Sequence, residues 1–228
     1  MPKRILLTVF SLLQAAAGAY ILWHNLFGNA CNDSHTMLSC SRVFVIMGVL
    51  ALLLALLQKK NPLFPLLMAL ALLCGALGDK YLGGSLPLGA GLFALQHTLM
   101  IAGSCILRRP GRWVFPPLIL LSSATVGLIL FHPDLFIPDT VTKILCVFYA
   151  LLISTMCAFA IGAAIDRPRP LQITAALGAV LFFTSDLLLF CGWFWAGFSP
   201  SHRLSLSLYF AGQILLALSS HLYSAKTD

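Results

Sequence analysis

The sequence predicts an all-α membrane protein of eight transmembrane helices, and three observations lead there. Of its 228 residues, 60% are hydrophobic and only 9% are charged, where a soluble domain carries roughly a quarter charged residues. The mean hydropathy is +0.95. Apolar runs of bilayer-spanning length recur along the whole chain, with short polar or proline-bearing stretches between them. About 20 such residues cross a ~30 Å hydrocarbon core.

The first run, 5–26, has the position of a signal peptide. Its ~20 apolar residues exceed a signal core of ~7–15, and the small residues Ala15 to Ala19 lie inside the run instead of after it. It reads as the first span. The others fall at 43–57 (the shortest), 63–79, 86–107, 113–131, 141–165, 171–190 and 204–222. Pro62, Pro110 and Pro170 precede helix starts, where a missing N–H costs little. The chain reads as one polytopic domain, 1–228.

Orientation follows from the positive-inside rule. With the N-terminus inside, ten of the fourteen Lys and Arg fall on the inner segments, in the clusters Lys3-Arg4, Lys59-Lys60, Arg108-Arg109-Arg112 and Arg167-Arg169, and at Lys226. The outer segments keep Arg42, Lys80, Lys143 and Arg203. Both termini are expected in the cytoplasm, with a bacterial inner membrane as the location. The net charge of +7 is scattered over these loops, so no nucleic-acid partner is expected. The seven cysteines show no metal spacing; five lie in apolar runs as packing residues, while Cys31 and Cys40 share a polar loop and would pair if it faces an oxidising compartment. No cofactor and no metal is expected.

Two of the seven acidic residues, Asp79 and Asp186, are embedded in apolar sequence. An intramembrane charge costs at least ~2.5–3.5 kcal/mol by insertion scales, so such residues mark function by default. At ~1.5 Å per residue, Asp79 lies ~24 Å above the inner start of its helix and Asp186 ~22 Å. Descending from the outer face, Tyr149, His97, Tyr209 and Gln213 lie ~12, ~16, ~8 and ~14 Å down. All six fall in one layer of the outer half, although they come from five helices. The plainer readings are an interhelical hydrogen bond for His97 and helix adhesion for Tyr209 with Gln213. Asn would serve a structural role at either Asp without the charge cost. Ser185, beside Asp186, is a weak candidate nucleophile, since serines recur in these helices as packing residues; it is placed among the substrate-binding residues.

Helices four and eight can be laid on each other: "FALQHTLMIAGS" against "YFAGQILLALSS" brings Phe93 to Tyr209, His97 to Gln213 and Ser104 to Ser220. The helix before each ends on an embedded Asp. Four helices per unit give a parallel 4+4 repeat, with halves 1–109 and 110–228 related by an axis along the membrane normal. Such an axis sets the two carboxyls on facing helices at equal depth. A close, poorly solvated pair does not ionise twice readily, so one serves as an acid while the other stabilises a cation. This is the equipment for cleaving a bond through an oxocarbenium-like state, as paired carboxyls do in glycoside hydrolysis.

The stretches "ALGDKYL", "GLFALQHTLMI", "FYALLISTM", "AVLFFTSDLLL" and "YFAGQILLALSS" resemble, in order and spacing, the YhhN-like lysoplasmalogenase family of eight-helix membrane proteins. The resemblance covers helices three to eight. It implies hydrolysis of the vinyl ether of a lysoplasmalogen, with the family's embedded acids on Asp79 and Asp186, its motif His on His97 and its Tyr and Gln on Tyr209 and Gln213. The N-terminal third departs from the family: a Lys-Pro pair opening helix two is replaced by Arg42-Val43. The partners then expected are the lipid bilayer and a lysophospholipid. Tyr149 and Ser185 would line the site, and Arg42 or Arg203 at the rim would hold the phosphate. A metal hydrolase is the rival among enzymes, with a thin ligand set of His97 and two Asp. A proton-coupled transporter is the rival from another class, although no matching pair of Gly/Pro-broken helices appears in the two halves.

Overall fold

The computed structural model describes residues 2–27, 45–53, 56–57, 62–107, 111–198 and 202–226. Those residues form eight helices and no strand. They are α1 (Pro2–Phe27), α2 (helical over 45–53), α3 (Leu63–Leu82), α4 (Leu86–Leu107), α5 (Phe115–Phe131), α6 (Thr140–Asp166), α7 (Pro170–Phe194) and α8 (His202–Lys226). Each predicted apolar run overlaps one of these helices. The third and seventh runs stop short of the helices they announce: α3 continues past Asp79 to Leu82 and α7 past Phe190 to Phe194. The embedded acids therefore sit inside helices, not at their ends. The fifth helix opens with a 3₁₀ turn at Arg112–Val114.

Local chemistry accounts for several of the boundaries. Asp139 caps α6: it accepts from the Thr142 amide at 2.8 Å and from the Thr142 hydroxyl at 2.6 Å. These bonds, the hydroxyl's foremost, hold its carboxyl below the usual carboxylate range. Proline opens α7 at its first turn, and α5 likewise carries proline there. The stretch after α5 folds back on the stretch after α7. Leu135 and Trp195 form a single antiparallel bridge, with Phe136 N donating to Phe194 O at 2.8 Å and Ala196 N to Asp134 O at 3.0 Å. Gly197 turns this stretch with φ +80°, a conformation that costs glycine little.

Helices α3 and α4 pack along each other, as do α7 and α8; α6 lies against α4, α5 and α7, and α8 also meets α1 and α3. Close approach is bought with small residues, as expected where lipid supplies no hydrophobic drive between helices. Gly178 of α7 and Gly212 of α8 face each other with nothing between their backbones. At the start of α8, Asn25 of α1 donates to Arg203 O at 3.1 Å and to Ser207 Oγ at 2.7 Å. The buried centre gathers Leu72, Met156, Phe182 and Ala217, while Leu120 and Ile144 stand 67% and 65% exposed, as side chains turned toward lipid do. Five helical stretches, 63–82, 86–106, 112–131, 140–166 and 170–194, are long and apolar enough to cross a bilayer. The protein is an integral membrane protein.

Candidate active site

Both embedded acids line one cavity of about 440 Å³, within the size range of small-molecule sites. Its wall is predominantly apolar, built from side chains such as Leu128, Ile129, Ile153, Phe183 and Phe190, with few polar groups among them. Asp79 enters from α3 and Asp186 from α7. Each carboxyl is half-buried and is held by a tyrosine from another helix.

Tyr209 of α8 donates its hydroxyl between the two oxygens of Asp79, at 2.8 and 2.9 Å. Behind it stands an amide pair. Gln213 Nε2 donates to Tyr209 Oη at 3.3 Å, and Gln96 Nε2 of α4 donates to Gln213 Oε1 at 2.9 Å. Tyr149 of α6 donates to Asp186 Oδ2 at 2.5 Å, and His97 Nε2 lies 3.0 Å from that phenol and 4.0 Å from the same carboxylate oxygen. Gln96 and His97 are fully buried, and Gln213 is 1% exposed. Most polar groups this deep are paired, and each of these side chains has at least one partner, while Gln96 Oε1 and His97 Nδ1 have none among the described residues.

Phe182 separates the two networks. Its ring centroid is 5.0 Å from His97, 5.3 Å from Tyr209 and 6.4 Å from Phe93. Each acid belongs to its own hydrogen-bonded chain, and both face the same space.

The six residues predicted to share a layer meet here. Asp79, Asp186, Tyr149 and Tyr209 line the cavity, whereas His97 and Gln213 stand behind the tyrosines and do not line it. Ser185 reaches the wall, but its hydroxyl donates to Ser205 O at 2.8 Å while Ser205 Oγ donates back to Ser185 O at 3.1 Å. That reciprocal clamp joins α7 to α8. Arg203 is exposed and is not part of the cavity wall. Arg42 and the Cys31–Cys40 pair lie outside the described residues. Cys74, Cys105, Cys146, Cys157 and Cys191 are free thiols.

Sequence reasoning missed Gln96. Its neighbour His97 drew the attention, yet an amide in an apolar helix was itself the pointer. Gly75 of α3 makes room for it: a Cβ at Gly75 would stand 2.5 Å from Gln96 Oε1. Among the described residues no group of three or more His, Cys, Asp and Glu gathers as metal ligands do.

Because Tyr209 grips both oxygens of Asp79, Tyr209→Phe is expected to slow any reaction that uses this carboxyl by about 10- to 100-fold through its misalignment, with little change in thermal stability. Turnover assays on the purified variant check this. Unchanged turnover would mean that Tyr209 only fills space.

The fold and site define an integral membrane helix bundle whose buried polar groups converge on one largely apolar cavity. Over residues 40–220 the chain matches the YhhN family, and it belongs to that family. No curated protein and no solved structure matches the chain.

Proposed function

We propose that the protein is an intramembrane lipid hydrolase that cleaves the vinyl ether bond of lysoplasmalogens, releasing a fatty aldehyde and a glycerophospho-choline or -ethanolamine. The observation that carries this reading is the pair of carboxyls facing one apolar cavity, each anchored by its own tyrosine. YhhN family membership is consistent with it.

Acid chemistry at an enol ether suits these residues. One carboxyl gives its proton to the vinyl carbon remote from oxygen, and the electron pair of the double bond forms the new C–H bond. The adjacent carbon becomes an oxocarbenium ion. The other carboxyl stabilises that cation and takes a proton from the water that attacks it. The hemiacetal so formed breaks its C–O bond to the glycerol: the second carboxyl returns its proton to the glycerol oxygen, which leaves as an alcohol, while the first takes the hemiacetal hydroxyl proton, and the aldehyde remains. One water is consumed, and both carboxyls regain their starting protonation states when the hemiacetal collapses. Tyr149 and Tyr209 fix the carboxyl orientations, and His97 and the Gln213–Gln96 pair fix the tyrosines.

We read the chain further as one polytopic unit of eight spans with both termini cytoplasmic, built as two parallel halves. What supports the halves is a crossing pattern. Tyr209, on the helix that follows Asp186, serves Asp79; His97, on the helix that follows Asp79, approaches Asp186.

The test is aldehyde release from a lysoplasmalogen by the purified protein in detergent or nanodiscs. Stoichiometric aldehyde and glycerophospholipid are the expected products, with activity insensitive to chelators. Flux of a solute across proteoliposomes with no product formed would replace this reading with a carrier.

A further inference from the structure

A phospholipid in this cavity needs a partner for its phosphate. Among the described residues that line the cavity, Lys80 is the only basic one. It follows Asp79 directly, so it lies ~1.5 Å further along the helix axis and about 100° around it. Neighbours in sequence do not face each other on a helix. The two side chains thus present a cation and a carboxyl to different parts of the same wall. Lys80 is exposed; its ammonium lies 5.4 Å from the Tyr81 ring centroid, and no carboxylate pairs with it among the described residues.

A lysine in a last helical turn also complements the helix dipole. That role is indifferent to azimuth, whereas Lys80 lies on the face of α3 that borders the cavity. It stands beside the α3–α4 turn at Gly83 and Gly84, which form part of the same wall. The side chains of Ile129 and Ile153 on the same wall are apolar.

We propose that Lys80 anchors the phosphate diester of a single-chain phospholipid and so sets the direction in which the lipid lies. The head group rests at the α3–α4 turn, and the chain runs toward Ile129 and Ile153. The short glycerol bridge then puts the ether oxygen near the Asp79 neighbour of Lys80. The proposal rests on the lipid-hydrolase reading and adds its head-group specificity: an alkyl glycerol lacking phosphate is a poor ligand.

Equilibrium binding to the full-length protein in nanodiscs tests it, with a saturated alkyl-ether lysophosphocholine as probe, the same alkyl glycerol without phosphate as comparison, and inorganic phosphate as competitor. The wild type is expected to favour the phosphorylated ligand by about 10- to 100-fold, as a charge-assisted hydrogen bond supplies. Lys80→Met should abolish that preference and Lys80→Arg should keep it. Unaltered binding of the alkyl glycerol in Lys80→Met reports an intact fold. A preference that survives in Lys80→Met, or an equal loss for both ligands, overturns the proposal. Displacement of the lipid by inorganic phosphate overturns the lipid assignment in favour of a free-phosphate site. The saturated probe undergoes no cleavage, so binding is judged independently of catalysis. Aldehyde release by the same preparations reports separately on the hydrolase reading.

Discussion

Asp79→Asn and Asp186→Asn are each expected to lower aldehyde release by about 10²- to 10⁴-fold, the range that general acid–base catalysis contributes. The substitution keeps the size of the side chain and one acceptor oxygen. Tyr209 and Tyr149 can therefore still donate to position 79 and position 186. What disappears is the ability to give or take a proton and to offset the charge of an oxocarbenium ion. Thermal stability should hold or rise, because an amide costs less than a carboxyl at membrane depth. The double variant should be no worse than the weaker single one, since groups that act as a unit fail together. Turnover of a lysoplasmalogen by the three purified variants, with thermal unfolding alongside, checks this. Full activity in either single variant would remove that carboxyl from the mechanism.

The helices were legible because hydrophobic length is a direct physical requirement of the bilayer. The depth of each polar residue followed from the same arithmetic, so Asp79, His97, Tyr149, Asp186, Tyr209 and Gln213 could be assigned to one layer before any coordinates. Azimuth was not legible. In a membrane helix the lipid-facing side is as apolar as the packed side, so the period that orients a soluble helix carries little contrast here. Depth alone could not say that Tyr149 reaches Asp186 while Tyr209 reaches Asp79, nor that His97 and Gln213 stand behind those phenols. For the same reason Ser185 read as a polar contact for substrate, although its hydroxyl closes a clamp on Ser205. Gln96 shared the depth of His97, and only the facing of α4 toward α8 brings it to Gln213. The bridge between Leu135 and Trp195 depends on backbone groups of two loops, which leave no trace in side-chain pattern.

Gly178→Ala and Gly212→Ala should have large structural effects. A Cβ at Gly178 would stand 2.9 Å from Gly212 O, and one at Gly212 would stand 2.8 Å from both Gly178 O and Phe182 N. Each obstacle is backbone, so no rotamer change relieves it; α7 and α8 must move apart. Overpacking of this kind costs about 1–3 kcal/mol. The consequence for the site is direct. Gly212 is the residue before Gln213 and three after Tyr209, and Asp186 lies eight residues beyond Gly178 on α7, ~12 Å along the axis. A wider α7–α8 seam therefore loosens Tyr209 from Asp79 and strains the Ser185–Ser205 clamp together. Lower unfolding temperatures in detergent and a loss of turnover in parallel are the expected results for both variants. Gly127→Ala is the control, because nothing lies within 4 Å of its added Cβ and alanine is the better helix former. Wild-type stability and turnover in Gly178→Ala and Gly212→Ala would mean that the seam between these helices does not set the geometry of the acids.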